Sequence, residues 1–143
     1  MKTLKPRLVI DTNVFIAALK SKQGASYKLL FNVDRNKFIW NISPTLIFEY
    51  ESVAKRKAQN IVLAHSEIDA IIDMICKWAQ HWEIFYLWRP ILKDPKDDFI
   101  LELAIESRSD YIITYNKTDF AGTEKFEIKV ITPKEMLEIL GEI

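Results

Sequence analysis

The chain has 143 residues, 49% of them hydrophobic and 28% charged, a balance that fits one compact domain over residues 1–143 and excludes linker-joined modules, repeat arrays and low-complexity segments. Its single cysteine, Cys76, excludes a disulfide framework and a Cys-based metal site; no apolar stretch approaches a membrane span, and Asp11 interrupts the N-terminal run that would otherwise pass for a signal peptide, so a soluble, unprocessed, cytoplasmic protein is expected. Net charge is zero but uneven: residues 1–57 hold 11 Lys or Arg against 4 Asp or Glu, and residues 58–143 hold 9 against 16, so a polyanion would be met mainly by the first part.

The first element is "RLVIDTNVFIAALKSK", in which Arg7 to Ile10 predicts a short buried strand. The run halts on Asp11, Thr12 and Asn13, then resumes with Val14, Phe15 and Ile16. A loop acid normally keeps company with Gly, Pro or Ser; this one sits where the chain is about to be buried. "SYKLLFNVDRN" spaces Tyr27, Leu30, Phe31 and Asp34 at helical intervals, and Lys37 to Ile42 predicts a second strand. Ser43, with Pro44 at the first helical position, opens a helix through "PTLIFEYESVAKRKA".

From Ile68 the apolar residues recur at 71, 72, 75, 79 and 82, an amphipathic helix with a period near 3.6. "EIFYLW" reads as extended, "KDPKDDFILELAIES" as helical beyond its prolyl turn, and "YIIT" as strand. A last strand, "IKVI", precedes Thr132-Pro133-Lys134-Glu135, an N-cap with a capping-box Glu that starts a C-terminal helix. Strand and helix alternate throughout. That pattern predicts an α/β fold with right-handed crossovers and a mainly parallel sheet covered on both faces.

In open sheets of this kind ligands bind beyond the carboxyl ends of the strands. Asp11 occupies that edge after the first strand; Thr114, Asn116 and Asp119 in "YIITYNKTDF" occupy it after a later one. Glu49 borders the apolar stripe of Leu46, Ile47 and Tyr50, and Asp97 and Asp98 open an apolar helix, where the helix dipole tolerates anions. Taken singly, each acid has an ordinary reading as cap, turn or surface charge. Gathered at one rim, carboxylates repel and call for a cation. Magnesium or manganese suits oxygen donors, while His65 and His81 lie in polar stretches and read as solvated. A carboxylate-held divalent pair can make hydroxide from water and clamp the attacking and leaving oxygens of a phosphodiester.

Asp11-Thr12-Asn13 after a first strand, Ser43 opening the helix that carries Glu49, "DPKDD" before "LELA", and Thr114-x-Asn116-x-x-Asp119-Phe120 together resemble the PIN-domain family. Within it the chain is similar to the small prokaryotic toxin components of toxin–antitoxin pairs, the VapC group. The resemblance covers nearly the whole chain in the right order. It implies a PIN-like three-layer α/β/α sandwich and a Mg2+- or Mn2+-dependent endoribonuclease with an RNA substrate, a cognate antitoxin and a homodimeric state. It also implies that Asp11, Glu49 and Asp97 are the main metal-binding acids and Asp119 a more variable fourth, with Thr12, Asn13, Ser43, Thr114 and Asn116 supporting them. Asp97 precedes Ile100, Leu101 and Ala104 at spacings that turn it toward the core face, leaving Asp98 as cap or outer ligand; the reverse assignment stays open. Asn116 stands where many relatives have an acid.

Lys55, Arg56 and Lys57 close the helix bearing Glu49, where they suit both helix capping and RNA contact. Trp78 is the tryptophan best placed for a partner surface, Trp40, Trp82 and Trp88 belong with the core, and Cys76 reads as a small buried apolar residue. Two rival readings remain. An aspartate-nucleophile phosphotransferase would want a second acid two residues after Asp11, where Asn13 stands. A catalytically inactive PIN-like module binding RNA or a partner would not need the intact acid set.

Overall fold

Leu8, Val9 and Ile10 of strand β1 (Arg7–Ile10) are all buried. Successive strand residues point to opposite faces, so both faces of the sheet must be covered. The computed structural model describes residues 5–84 and 97–142. Its described strands are β1, β2 (Ile39–Ile42), β3 (Gln80–His81), β4 (Tyr111–Ile113) and β5 (Lys129–Ile131), arranged in the order β3-β2-β1-β4-β5. Every pairing among them is parallel, with Leu8 opposite Trp40 on one side and Tyr111 on the other. The mainly parallel sheet expected from alternation and the α/β/α architecture implied by the resemblance are both present.

The described α-helices are α1 (Thr12–Lys20), α2 (Ala25–Leu30), α3 (Pro44–Arg56), α4 (Ala58–Ile61), α5 (His65–Trp78), α6 (Asp98–Glu106) and α7 (Pro133–Ile139). Helix α1 packs on α2 and α3, α3 on α5, and α6 on β1, β2 and β4. Ser43 caps α3 by accepting from the Leu46 amide at 3.2 Å, with Pro44 in the first turn. Thr132 and Glu135 form the reciprocal capping box on α7, at 3.2 and 2.9 Å. Lys117, 2.6 Å from the Glu135 carboxylate, and the Thr132 amide hold that acid below its ordinary pKa. The same ion pair ties the turn after β4 to α7.

Three local expectations are corrected. The helical spacing over 26–36 breaks after Leu30, and Val33–Arg35 forms a separate 3-10 turn. The period that carried α5 to Trp82 ends at Trp78: Ala79 is extended, Gln80 and His81 pair with Asn41 and Ile42, and the Trp82 amide donates to the Ile42 carbonyl at 2.9 Å. Trp82 keeps its apolar contact from a strand end, its indole N–H donating to Asn41 Oδ1 at 2.9 Å. Cys76 is half-buried rather than buried, and partial desolvation raises its thiol pKa. Phe85 to Trp88 of the expected "EIFYLW" strand lie outside the described residues. No described helix is long and apolar enough to cross a membrane.

Candidate active site

The chain runs from β1 outward through β2 to β3, then crosses back to β4 and β5 on the other side of β1. The order reverses between β1 and β4, the switch point beyond whose carboxyl ends open parallel sheets place their ligand sites. Asp11 follows β1 and Thr114 follows β4. The Asp11 amide donates to the Ile113 carbonyl at 2.9 Å, continuing the sheet pairing by one residue. Its side chain then serves as N-cap of α1, one oxygen accepting from the Thr12 amide at 2.8 Å and the other from the Thr114 hydroxyl at 2.8 Å. With 9% of its surface exposed, Asp11 is the acid the sequence placed at the edge of burial.

Thr12 connects this carboxylate to the next, because its hydroxyl donates to Glu49 Oε2. Glu49 is half-buried on α3, one residue before the fully buried Tyr50. The Tyr50 hydroxyl donates to the Ile10 carbonyl, and its ring stacks on Phe15 with centroids 4.6 Å apart. Asn13 closes the other side: its amide nitrogen lies 3.3 Å from the Thr114 hydroxyl, and its oxygen accepts from the Tyr115 amide at 3.4 Å. Tyr115, 48% exposed, reaches across to the Ser26 hydroxyl.

Asp119 lies half-buried in the turn Lys117–Phe120, held by its amide donating to the Asn116 carbonyl at 3.0 Å. Asn116 is exposed, its own amide donating to the Thr114 hydroxyl at 3.0 Å. At the start of α6 the structure reverses the expected orientation of the acid pair. Asp98 is the deeply buried member, 1% exposed, and Asp97 at the capping position is half-buried. Both acids stand three and four residues before buried positions, so spacing does not separate them; Asp98 is the first residue of α6 itself, while Asp97 is the capping residue outside it. Ser43 is spent on capping α3.

Burial raises the Asp11 pKa above its ordinary value; the bonds from Thr114 and Thr12 offset part of this, and the negative charges of Glu49 and Asp119 push it further up. Glu49 and Asp119 thus both act on Asp11, and among the described residues none of the three has an ion-pair partner. No three His, Cys, Asp or Glu side chains among the described residues stand together as a ready metal cage. The donor chemistry nevertheless fits a hard divalent cation: each Asp11 oxygen carries one hydrogen bond and retains a lone pair, and mutual repulsion is what such an ion relieves.

The basic run divides. Lys55 is committed to Glu51 at 2.9 Å and to Asp69 of α5 at 2.7 Å, Arg56 is exposed, and Lys57 lines a cleft with Thr12 and Asn13. The sequence reading missed Tyr50 as a support of Asp11, Tyr115 at the rim, and Lys20 in that cleft. Lys20 was legible as the residue eight positions after Thr12 on one helix stripe; the Tyr50 hydroxyl contact had no local signal.

A family model described as PIN domain matches residues 7–118. An uncharacterized protein of Methanocaldococcus jannaschii is 26% identical, the match covering 96% of this chain and 94% of the relative. Among solved structures, the crystal structure of VapBC2 from Rickettsia felis bound to a DNA fragment from their promoter aligns with a TM-score of 0.58 at 12% identity. That alignment covers 87% of this chain and 96% of the other, a likeness of fold.

Proposed function

This chain belongs to the PIN domain family, and on that footing we propose that its acidic rim is the centre of a Mg2+- or Mn2+-dependent endoribonuclease, the toxin of a toxin–antitoxin pair. The observation that carries the reading is the buried Asp11 at the switch point of the sheet, facing the charges of Glu49 and Asp119 with no ion-pair partner among the described residues. Asp11, Glu49 and Asp119, with Asp97 or Asp98 from α6, are the groups that would hold the ion. Bound there, a hard divalent ion supplies Lewis-acid charge and activation of water toward a phosphodiester.

The chain's own residues do the positioning. Thr114 and the Thr12 amide fix the two Asp11 oxygens, the Thr12 hydroxyl fixes Glu49, and Asn13 braces Thr114. The shared fold with VapBC2 supports a cognate antitoxin as partner, and a cytoplasmic homodimer acting on RNA is the physiological form proposed with it. The test is cleavage of single-stranded RNA by purified protein with magnesium, manganese or chelator, beside Asp11→Asn. Metal-dependent cut ends lost in the variant are expected; equal cleavage by the variant overturns the assignment. Induced expression with and without the neighbouring gene tests the toxin role.

A further inference from the structure

Thr12, Asn13, Ile16, Ala17 and Lys20 form one stripe of α1, and with Val53 and Lys57 of the α3 end they enclose an open cleft of about 350 Å³. The cleft starts at the residue that touches both acids, since Thr12 gives its amide to Asp11 and its hydroxyl to Glu49. At a rise of 1.5 Å per residue, Lys20 stands about 12 Å along the helix from Thr12. Ile16, Ala17 and Val53 provide an apolar floor on which lysine stems can lie while their ammonium groups stay wet. Among the described residues neither Lys20 nor Lys57 has an ion-pair partner, whereas the adjacent Lys55 has two.

We propose that this cleft binds the sugar–phosphate backbone of single-stranded RNA beside the cleaved bond, with Lys20 and Lys57 each contacting a phosphate. The proposal rests on the nuclease reading and adds the path of the substrate: from the acids, along α1, toward its C-terminal end. Both lysines lie outside the acid group, so they bind ground state and transition state alike and act on KM rather than kcat. The cleft's content is a chain of phosphates rather than one anion, because its lysine end lies about 12 Å along α1 from the residue that holds the two acids, so one anion does not reach both ends.

The experiment measures affinity for a single-stranded RNA oligonucleotide in chelator, across salt concentration, by fluorescence anisotropy. Parent is compared with Lys20→Ala/Lys57→Ala, with Lys20→Arg/Lys57→Arg, and with Lys55→Ala; melting curves establish that each variant is folded. The double alanine variant should flatten the slope of log K against log salt by about 1.4, two contacts at roughly 0.7 each. The double arginine variant should restore the slope and Lys55→Ala should keep it. In magnesium the alanine pair should raise KM at least tenfold with kcat within twofold. Inorganic phosphate competing as well as the oligonucleotide, or a slope unchanged in the alanine pair, overturns the cleft as a backbone path. RNA bound by the cleft without metal-dependent cleavage overturns the nuclease reading alone, and absence of RNA binding by the parent overturns both.

Discussion

The hydroxyl of Tyr50 donates to the carbonyl of Ile10, so a buried residue of α3 holds the last peptide of β1 immediately before Asp11. Burial raises the Tyr50 pKa well above 10, which keeps the hydroxyl a donor at every physiological pH. Tyr50→Phe keeps the ring stacked on Phe15 and leaves the carbonyl unsatisfied. We expect a loss of about 1–3 kcal/mol in unfolding free energy and a fall in kcat with KM unchanged, read from denaturant curves and RNA cleavage. A variant destabilised but with parental kcat would show that Tyr50 supports the fold without positioning Asp11.

Asp11→Asn should keep the fold and lose cleavage, because the amide preserves shape while removing the charge that holds a cation. In chelator it should melt at or above the parent, having lost repulsion with Glu49 and Asp119. Magnesium at ten times its dissociation constant contributes about 1.4 kcal/mol to the parent, roughly 4 °C at this chain length, and less to the variant. Equal responses in calorimetry would separate Asp11 from any metal site.

The raised Asp11 pKa gives a pH dependence of known sign in chelator. A carboxyl whose folded pKa exceeds its unfolded value binds its proton more tightly in the folded chain. Its contribution is fully present below the ordinary value of 3.8 and is lost as pH rises through the raised value. The difference in stability between parent and Asp11→Asn should therefore shift against the parent across that window. Urea titrations at a series of pH values read it, and a pH-independent difference would show Asp11 to be solvated.

Val62 follows α4 in the left-handed region, φ 56 and ψ 49, and is 84% exposed. A β-branched side chain is poorly suited to that conformation, and nothing buried repays it. Val62→Asn should stabilise by about 1 kcal/mol with cleavage unaltered, as measured by thermal melting and RNA assay. A lower melting temperature would show that the valine contributes contacts that outweigh its backbone.

Most of the frame was legible because its signals are local. The Ser43-Pro44 start of α3 and the Thr132–Glu135 box depend on neighbouring residues, and the apolar runs at Val9 and Ile112 admit no exposed strand. The acid positions were legible from the same logic, since residues just after β1 and β4 must meet if those strands are adjacent. What local periodicity could not supply was tertiary choice. Trp82 satisfies an apolar period equally well from a helix or from a strand end, and the pairing of Gln80 and His81 with β2 decided it. Asp97 and Asp98 satisfy the same spacing, and the true start of α6 separates them.

The outer members of the described sheet are short, two residues in β3 and three in β5. Gln80 and His81 are exposed, and Lys129 leads β5 with an exposed cation. A foreign strand docking along either margin would find only a few free peptide groups, flanked by hydrated side chains. Such margins discourage cross-β growth at high protein concentration. Among the described elements they leave the helical faces as the broader surfaces, on which a twofold pair would bury helices against helices rather than extend one sheet through both copies.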